Sequence, residues 1–216
     1  MNIITKPFRY QYSKVVFWLI GINIFIFAVY SLFGRNIEYL MTKYLCMIPE
    51  YIVKRGFIWT FFTYMFMHAG ITHILFNMLG LFIFGMQVER QMGSREFLLF
   101  YFSTGILAGI FSFLIYLITG ADVILLGASG AIFAVQLAFA VFFPRSIIYI
   151  WGIIPLRAPI MVLIFTAISL FSTLRATSDG VAHITHLAGF GFAWLYFMAR
   201  LRINPWRRLT GRDTFY

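Results

Sequence analysis

The chain has 216 residues, of which 62% are hydrophobic and only 11% are charged, and its formal net charge is +10. A composition this apolar excludes a water-soluble globular protein of ordinary make-up. The lysines and arginines lie at the ends of apolar segments rather than in one stripe, which favours membrane topology over nucleic-acid binding. We therefore expect a single membrane domain in a lipid bilayer, with no nucleic-acid partner.

Six apolar segments are predicted to be membrane-spanning helices, because a bilayer core of about 30 Å needs about 20 predominantly apolar residues. The predicted spans are 15–33, 71–88, 97–118, 125–143, 158–174 and 182–200. An even number of spans places both termini on one side of the membrane. Twelve of the 17 lysines and arginines then lie inside and five outside, as the positive-inside rule requires. The sequence thus predicts an all-α membrane protein, a six-transmembrane-helix bundle with both termini in the cytoplasm.

The first 14 residues carry Lys6, Arg9 and Lys14 ahead of the first apolar segment, and no small-residue cleavage site follows that segment convincingly. We therefore interpret 15–33 as a retained helix instead of a cleaved signal peptide. The predicted organisation is a cytoplasmic N-terminal segment at 1–14, a six-helix membrane domain at 15–201 and a basic cytoplasmic tail at 202–216.

A long loop, 34–69, connects the first two predicted spans on the outer side. Its apolar part, Phe57–Met67, is too short to cross a bilayer. We expect this loop to be partly helical and to lie in the membrane interface, with Trp59 and Tyr64 at the level of the lipid headgroups. Later in the chain, Pro159 suits the first turn of the fifth span.

Polar residues of three predicted spans lie at a common depth. They are His73 and Asn77 of the second span, Ser129 of the fourth and His186 of the sixth. At a rise of about 1.5 Å per residue, each lies about 20 to 26 Å from the arginine that follows its own span. Histidine and asparagine are costly to bury in a membrane and are functional candidates by default. Three helices therefore direct polar groups to one level near the outer edge of the core.

Small residues accompany these polar groups. Taken singly, Gly127–Gly130 is most simply explained as close helix packing. Gly127 and Gly130 also permit a tight approach to a helix N-terminus, whose dipole favours an anion. On the sixth span, Gly189 shares a face with His186, which lets another helix approach the histidine closely. The coincidence of these features favours a reactive site.

This combination of side chains is suited to acyl transfer. Serine is a weak nucleophile at its own pKa, so His186 is predicted to accept the proton of Ser129 and return it to the leaving amine. The tetrahedral intermediate carries an oxyanion, which needs preorganised hydrogen-bond donors. The side chains of His73 and Asn77 and the backbone N–H of Ser129 are the candidate donors.

Four stretches of the chain carry a more specific signal. They are His68–Asn77, Gly85–Ser94, Gly127–Gly130 and Ala182–Gly189. In their order and spacing they resemble the rhomboid intramembrane serine proteases, across most of residues 57–201. The resemblance implies a six-helix bundle in which Ser129 and His186 form a catalytic dyad without an acid. It also implies that His73 and Asn77 assist the oxyanion.

The resemblance assigns further supporting residues. His186 is the base because it precedes Leu-Ala-Gly, and His183, one turn earlier, helps to shape the cavity. His68 matches a histidine of the first loop that is structural or water-handling. The last group consists of Glu89, Arg90 and Gly93. These residues either tie the inner ends of the second and third helices together or form an ordinary cytoplasmic turn.

Two positions depart from many relatives. Thr60 follows Trp59 at a position where many relatives have an arginine. We therefore do not expect the hydrogen-bond network that this arginine would form in the first loop. Phe133 lies four residues after the serine where a tyrosine is common. A phenylalanine keeps the ring contact with the base but loses the hydroxyl, which should orient the imidazole less firmly.

The sequence therefore predicts a serine endopeptidase, without cofactor or metal, that cleaves single-span membrane proteins near the outer face. We expect it in a bacterial inner membrane. The resemblance implies that movement of the fifth helix and of the loop 173–180 admits the substrate.

Three alternatives were weighed against this prediction. A metal enzyme is suggested by the paired histidines His68/His73 and His183/His186, but diiron membrane enzymes need more histidines, and Cys46 is the only cysteine. A non-catalytic rhomboid-like protein would lack the serine or the histidine. A transporter or channel is disfavoured because no charged residue lies at mid-depth.

Overall fold

A computed structural model describes residues 14–150, 152–174 and 183–212, which are mostly helical. The helices are α1 Val15–Leu32, α2 Gly34–Leu45, α3 Pro49–Arg55, α4 Thr60–Thr63, α5 Ile71–Gly80, α6 Met86–Met92, α7 Ser94–Thr119, α8 Ser129–Phe142, α9 Ala158–Leu174, α10 His183–Tyr196 and α11 Pro205–Leu209. A 3₁₀ turn occupies Tyr64–Phe66, and π-helical segments occupy Leu81–Gly85, between α5 and α6, and Phe197–Leu201, after α10. Strands β1 (Ile147–Ile150) and β2 (Ile154–Arg157) form an antiparallel hairpin, with Ile147 opposite Arg157.

Three helical segments of the described chain are long and apolar enough to cross a membrane, namely Val15–Leu32, Ile71–Met92 and Ser94–Thr119. Two shorter apolar segments, Ser129–Phe142 and Ala158–Ile168, accompany them. The helical membrane character expected from the composition is therefore confirmed. The count of six spans stays a prediction, and so do the domain boundaries after residues 14 and 201.

Several predicted features lie outside the described residues. They are Lys6, Arg9, Arg175, Ala182, residues 175–180 of the predicted access loop and the last four residues of the tail.

Helix α8 lies at the centre of the bundle, where α7, α9 and α10 pack against it together with the π-helical segment Leu81–Gly85. Eleven of its 14 residues are buried, and four of these are alanines. Small side chains let neighbouring helices approach closely, which is how helices associate where lipid offers no hydrophobic driving force. The residue at the start of α8 is therefore held by three neighbouring helices.

The start of α8 is set by the first loop. The fourth span was predicted from residue 125, but Leu125 pairs with Met47, with two N–H to oxygen distances of 3.0 and 2.9 Å. Gly127 follows with φ +117°, and its N–H donates to the Tyr64 carbonyl at 2.9 Å. Because residues 125–128 are held in this way, the helix begins at Ser129.

The first loop is partly helical, as predicted, through α2, α3, α4 and the 3₁₀ turn. The expectation that Tyr64 lies at headgroup level stays a prediction, but its side chain does not face the lipid. Its side chain is only 1% exposed, and its hydroxyl donates to the Gly105 carbonyl of α7 at 2.7 Å. Trp59 is about half exposed and donates its indole N–H to the Tyr44 carbonyl at 2.8 Å. The tyrosine thus anchors the loop inside the bundle.

We call the two ends of the bundle the Ser129 end and the Arg200 end. At the Arg200 end, buried Glu89 accepts hydrogen bonds from the backbone N–H groups of Val15 and Val16, both at 3.0 Å, and from the Ser94 hydroxyl. A carboxylate is favourable at the N-terminus of a helix, here α1. Arg90 is exposed. Glu89 therefore ties α1 to the corner between α6 and α7.

A second carboxylate ties α7 to the helix that ends near Arg200. Glu96 is fully buried and accepts hydrogen bonds from Arg200 Nε at 2.6 Å and Nη2 at 2.8 Å. The Tyr196 hydroxyl also donates to Glu96. Two parallel N–H bonds from one guanidinium fix both distance and angle. We call residues 71–92 the α5–α6 rod and residues 183–201 the α10 rod, because each is one continuous helical segment. The contact between Glu96 and Arg200 holds the α10 rod in register with α7.

Candidate active site

The first residue of α8 and the base predicted on α10 are in hydrogen-bond contact. His186 Nε2 lies 2.9 Å from Ser129 Oγ. The histidine is buried and the serine half-buried. Among the described residues, Ser129 is the only hydrogen-bond partner of His186, and no carboxylate bonds to its ring. The serine hydroxyl therefore has an imidazole positioned to accept its proton.

Two glycines bring α8 and α10 into backbone contact. A Cβ built on Gly189 would lie 2.1 Å from the Gly130 carbonyl oxygen, which no side chain can tolerate. A Cβ built on Gly130 would lie 2.9 Å from Thr185 Cγ2. The helices are thus too close for any other residue at position 189. This close approach allows the short serine side chain to reach His186.

A buried pair of hydroxyl groups fastens α10 to α7 next to the histidine. Ser112 Oγ and Thr185 Oγ1 are 2.6 Å apart. Because Thr185 directly precedes His186, this bond fixes the height of the histidine on its helix. Neither residue was predicted from the sequence. The only indications in the sequence were a serine in the middle of a predicted span and a threonine next to the predicted base.

An aromatic stack fixes the plane of the imidazole. The Phe133 ring lies parallel to the His186 ring, with centroids 4.1 Å apart and planes at 13°. Phe190 packs against Phe133 at 5.1 Å. The phenylalanine thus keeps a ring contact with the histidine. Its position one turn after Ser129 places the stack on the same face of α8 as the hydroxyl.

A second imidazole lies beside Gly127. The backbone N–H of Ala69 donates to His73 Nδ1 at 3.3 Å, so a neutral His73 carries its proton on Nε2. A Cβ built on Gly127 would lie 2.9 Å from His73 Nε2 and 3.8 Å from Ser129 Oγ. The absence of a side chain at Gly127 therefore leaves a small space between a hydrogen-bond donor and the serine oxygen.

The backbone at the start of α8 adds further donors. The first N–H groups of an α-helix have no acceptor within the helix, and Ala128, at the N-cap position, provides no side-chain cap. The amide of Ser129 has no hydrogen-bond partner within the described part of the chain. It is therefore available to a group bound at the serine.

Asn77 is buried one turn below His73. Its side-chain amide donates to the His73 carbonyl at 2.8 Å, and its Oδ1 has no partner among the described residues. No hydrogen bond in the described residues joins Asn77 to Ser129 or His186. The amide retains a second N–H for a bound group.

The other two histidines lie beside the first two. The His68 ring meets the His73 ring edge-on at 5.1 Å, and burial lowers the pKa of His68 to about 4, which keeps it neutral at pH 7. The His183 ring lies 5.9 Å from the His186 ring at 88°. Across residues 14–150, 152–174 and 183–212, no three His, Cys, Asp or Glu side chains are grouped as metal ligands.

The fold and the site define a helical membrane protein with a buried serine–histidine pair. Comparison with known proteins then identifies its family, because the Rhomboid domain matches residues 55–203. The chain belongs to the rhomboid family, which confirms the resemblance found in the sequence motifs.

Three relatives illustrate the range of the family. Rhomboid-like protein 16, chloroplastic, of Arabidopsis thaliana is 30% identical over 212 residues, covering 90% of this chain and 64% of that protein. Putative rhomboid protease YdcA of Bacillus subtilis is 34% identical over 139 residues, covering 63% of this chain and 66% of that protein. Rhomboid protease GlpG of Haemophilus influenzae is 28% identical over 201 residues, covering 92% and 98%. The chain spans just under two thirds of the length of the first two relatives.

Proposed function

We propose that this protein is an intramembrane serine endopeptidase that cleaves transmembrane segments of other proteins with a Ser129–His186 dyad. The observation that carries the proposal is the 2.9 Å contact between His186 Nε2 and Ser129 Oγ. Membership of the rhomboid family, which includes named proteases, supports it.

The proposed reaction has two halves. Ser129 Oγ attacks the scissile carbonyl carbon while its proton moves to His186 Nε2. The carbon–nitrogen bond breaks as the imidazolium returns that proton to the leaving amine, and the acyl group remains on Ser129. A water molecule, deprotonated by the same imidazole, then hydrolyses the ester and restores the serine hydroxyl.

The proposed oxyanion donors are His73 Nε2–H, the Asn77 amide and the backbone N–H of Ser129. The space beside Gly127 supports this assignment for His73, because it lies next to the attacking oxygen. The buried Asn77 amide needs a rotation to turn its second N–H towards that space. The removal of one such donor typically costs about 10²- to 10³-fold in rate.

We further propose six membrane spans, formed by α1, the α5–α6 rod, α7, α8, α9 and the α10 rod. The distribution of lysines and arginines supports an orientation with both termini in the cytoplasm and the Ser129 end towards the outer side, and the proposed location is a bacterial inner membrane. The expected substrates are single-span membrane proteins that unwind near this end, because a helical backbone hides its peptide bonds. Movement of α9 and of the loop 173–180 would admit them.

The test uses the purified chain in detergent with a model transmembrane substrate. We expect Ser129→Ala and His186→Ala each to abolish cleavage while the thermal unfolding curve is retained. Ser103→Ala is the matched control, because its hydroxyl donates only to the Phe100 carbonyl of its own helix. A fluorophosphonate probe should label the wild type and not Ser129→Ala.

Two results would contradict the proposal. Cleavage that survives Ser129→Ala, or that stops on chelation, would favour a metal enzyme. A folded wild type that neither cleaves nor takes the probe would favour a non-catalytic role in binding membrane segments.

A further inference from the structure

A groove of about 430 Å³ lies between α8, α9 and α10 on the surface of the bundle, and neither Ser129 nor His186 lines it. Its lining includes Val162 and Leu163 of α9, Phe190 and Trp194 of α10, and Trp206 and Leu209 of α11. Leu163 is 67% exposed and Trp206 is 58% exposed, so the groove is open to the surroundings. Its volume is within the range of about 300–1,000 Å³ typical of ligand sites.

The lining accepts only an apolar occupant. The hydroxyl of Thr166 donates to the Val162 carbonyl at 2.8 Å, and that of Thr210 donates to the Trp206 carbonyl at 2.8 Å. Both hydroxyl groups of the lining are therefore bonded to their own helices. In a bilayer, the apolar molecules available in quantity are lipid acyl chains.

Arginines flank the part of the chain that lines the groove. Residues 202–212 contain four arginines and are followed by Asp213, whereas Arg200 is already paired with Glu96. Arg207 is exposed on α11 and forms no ion pair within the described part of the chain. Arg157, also exposed, directly precedes α9, whose first turn contributes Pro159 to the lining. Basic residues beside transmembrane helices recognise anionic lipid headgroups.

Trp206 lies between the apolar lining of the groove and the arginines that flank it in the sequence. Its ring lines the groove, and its indole N–H has no acceptor among residues 14–150, 152–174 and 183–212. Tryptophan is enriched at the level of the headgroups because it offers an apolar ring and one hydrogen-bond donor. The groove therefore has an apolar interior and a polar, positively charged mouth.

We propose that this groove is a binding site for an anionic glycerophospholipid. One acyl chain lies against Leu163, Phe190 and Trp194, and the phosphate lies beside Arg207 and the indole N–H of Trp206. The site is separate from the proposed proteolysis, so it is tested in the Ser129→Ala protein, in which self-cleavage and substrate cleavage are absent.

The first experiment measures tryptophan quenching. The full chain is reconstituted in phosphatidylcholine vesicles that contain a small fraction of lipid with brominated acyl chains, either phosphatidylglycerol or phosphatidylcholine. We expect brominated phosphatidylglycerol to reach half-maximal quenching at about a fivefold lower fraction. Trp194→Phe, which removes the tryptophan that lies against the acyl chain, should remove most of this difference, whereas Trp18→Phe, a 70% exposed tryptophan on α1, should retain it.

The second experiment counts the lipids retained after extraction into detergent, by native mass spectrometry. We expect one phosphatidylglycerol per wild-type chain. Arg207→Gln should reduce its occupancy about fivefold, while Arg35→Gln, an exposed arginine on α2, should not. Both substitutions are on the surface and are expected to leave the unfolding temperature unchanged.

Several outcomes would overturn the proposal. Equal quenching by the two brominated lipids would show no selection for an anionic headgroup. Equal retention in Arg207→Gln and Arg35→Gln would assign the preference to general surface charge. Quenching that is relieved as the protein-to-lipid ratio rises would assign the groove to a second copy of the chain.

Discussion

At the Arg200 end, the carboxylates of Glu89 and Glu96 each accept three hydrogen bonds from other parts of the chain. At the Ser129 end, His186 has one partner, and buried Asn77 and His68 keep polar atoms without any partner in the described chain. Both ends bury polar side chains, but the two carboxylates are bonded, whereas atoms beside the nucleophile are not. Three other buried atoms also lack a partner in the described chain and belong to neither group, namely Asn23 Oδ1, Tyr101 Oη and Gln136 Oε1.

This difference separates stability from reactivity. A buried polar group without a partner in the chain costs free energy unless water or a bound molecule supplies one. The Arg200 end uses its polar groups to hold helices together. The Ser129 end keeps spare hydrogen-bonding capacity beside a nucleophile. Substitutions should therefore reduce stability at one end and activity at the other.

The largest effect is expected where the two roles meet, at Gly189. Gly189→Ala places a Cβ against the Gly130 carbonyl, which forces α8 and α10 apart. A misplacement of about 1 Å can cost about 10²-fold in rate, and overpacking a core destabilises by about 1–3 kcal/mol or more. We expect both losses, measured as the initial cleavage rate and the unfolding free energy in detergent.

Gly191→Ala is the matched control, because no atom lies within 4 Å of a Cβ built there. It should behave as the wild type. If Gly189→Ala kept full activity, close contact between the two helices would not be what positions His186.

The next effect concerns stability alone. Glu96→Gln removes the negative charge that pairs with the Arg200 guanidinium, whose side chain is only 14% exposed. Breaking a buried ion pair typically costs about 3–5 kcal/mol, and the partial exposure of Arg200 favours the lower value. The unfolding free energy should fall accordingly, while the cleavage rate per folded molecule stays within about twofold.

Glu50→Gln removes the partner of Lys54 in an exposed pair on α3 and should have no measurable effect on stability. A loss of activity in folded Glu96→Gln would show that the Arg200 end also tunes the site.

The third effect concerns activity. Gly127→Ala fills the space between His73 Nε2 and Ser129 Oγ, so the oxyanion would lose its place beside the donor. We expect kcat to fall by about 100-fold, the loss typical of one oxyanion donor. Gly120 also has a positive φ, +66° against +117° at Gly127, but open space around its Cβ. Gly120→Ala should show a smaller backbone strain and no kinetic loss, and equal kcat values for the two variants would refute the assignment.

The smallest effect is expected at the aromatic stack. Phe133→Tyr retains the ring over His186 and adds a hydroxyl that can orient the imidazole, so the rate should rise by no more than about threefold. Phe133→Ala removes a stack worth about 0.5–1.5 kcal/mol and should lower the rate by up to about tenfold. A Phe133→Ala protein with the wild-type rate would show that the stack does not position the base.

Much of the fold was predictable because membrane helices must satisfy their own backbone hydrogen bonds. The predicted segment 15–33 matches Val15–Leu32, and 158–174 matches Ala158–Leu174. The hairpin of β1 and β2 was not predicted, because its residues are as apolar as the neighbouring helices. Its turn contains Gly152, whose φ of +71° is a weak signal in the sequence.

The site was predictable to the extent that depth along a helix can be counted. Ser129 and His186 were predicted at one level, and the structure brings them into contact. The bond between Ser112 and Thr185 was not predictable, because a serine in a membrane helix usually bonds back to its own backbone. The burial of Tyr64 was missed for a similar reason, since an interfacial tyrosine and a buried one look alike in sequence.

The two π-helical segments, Leu81–Gly85 and Phe197–Leu201, occur in the rods that serve both ends of the bundle. Each adds a residue to one turn, which rotates everything beyond it by roughly a quarter turn relative to a regular helix. His73 can thus face α8 while Glu89 on the same rod faces α1 and α7. If each π-helical segment accommodates one inserted residue, the side chains at one end of a rod can change the direction they face while those at the other end keep theirs.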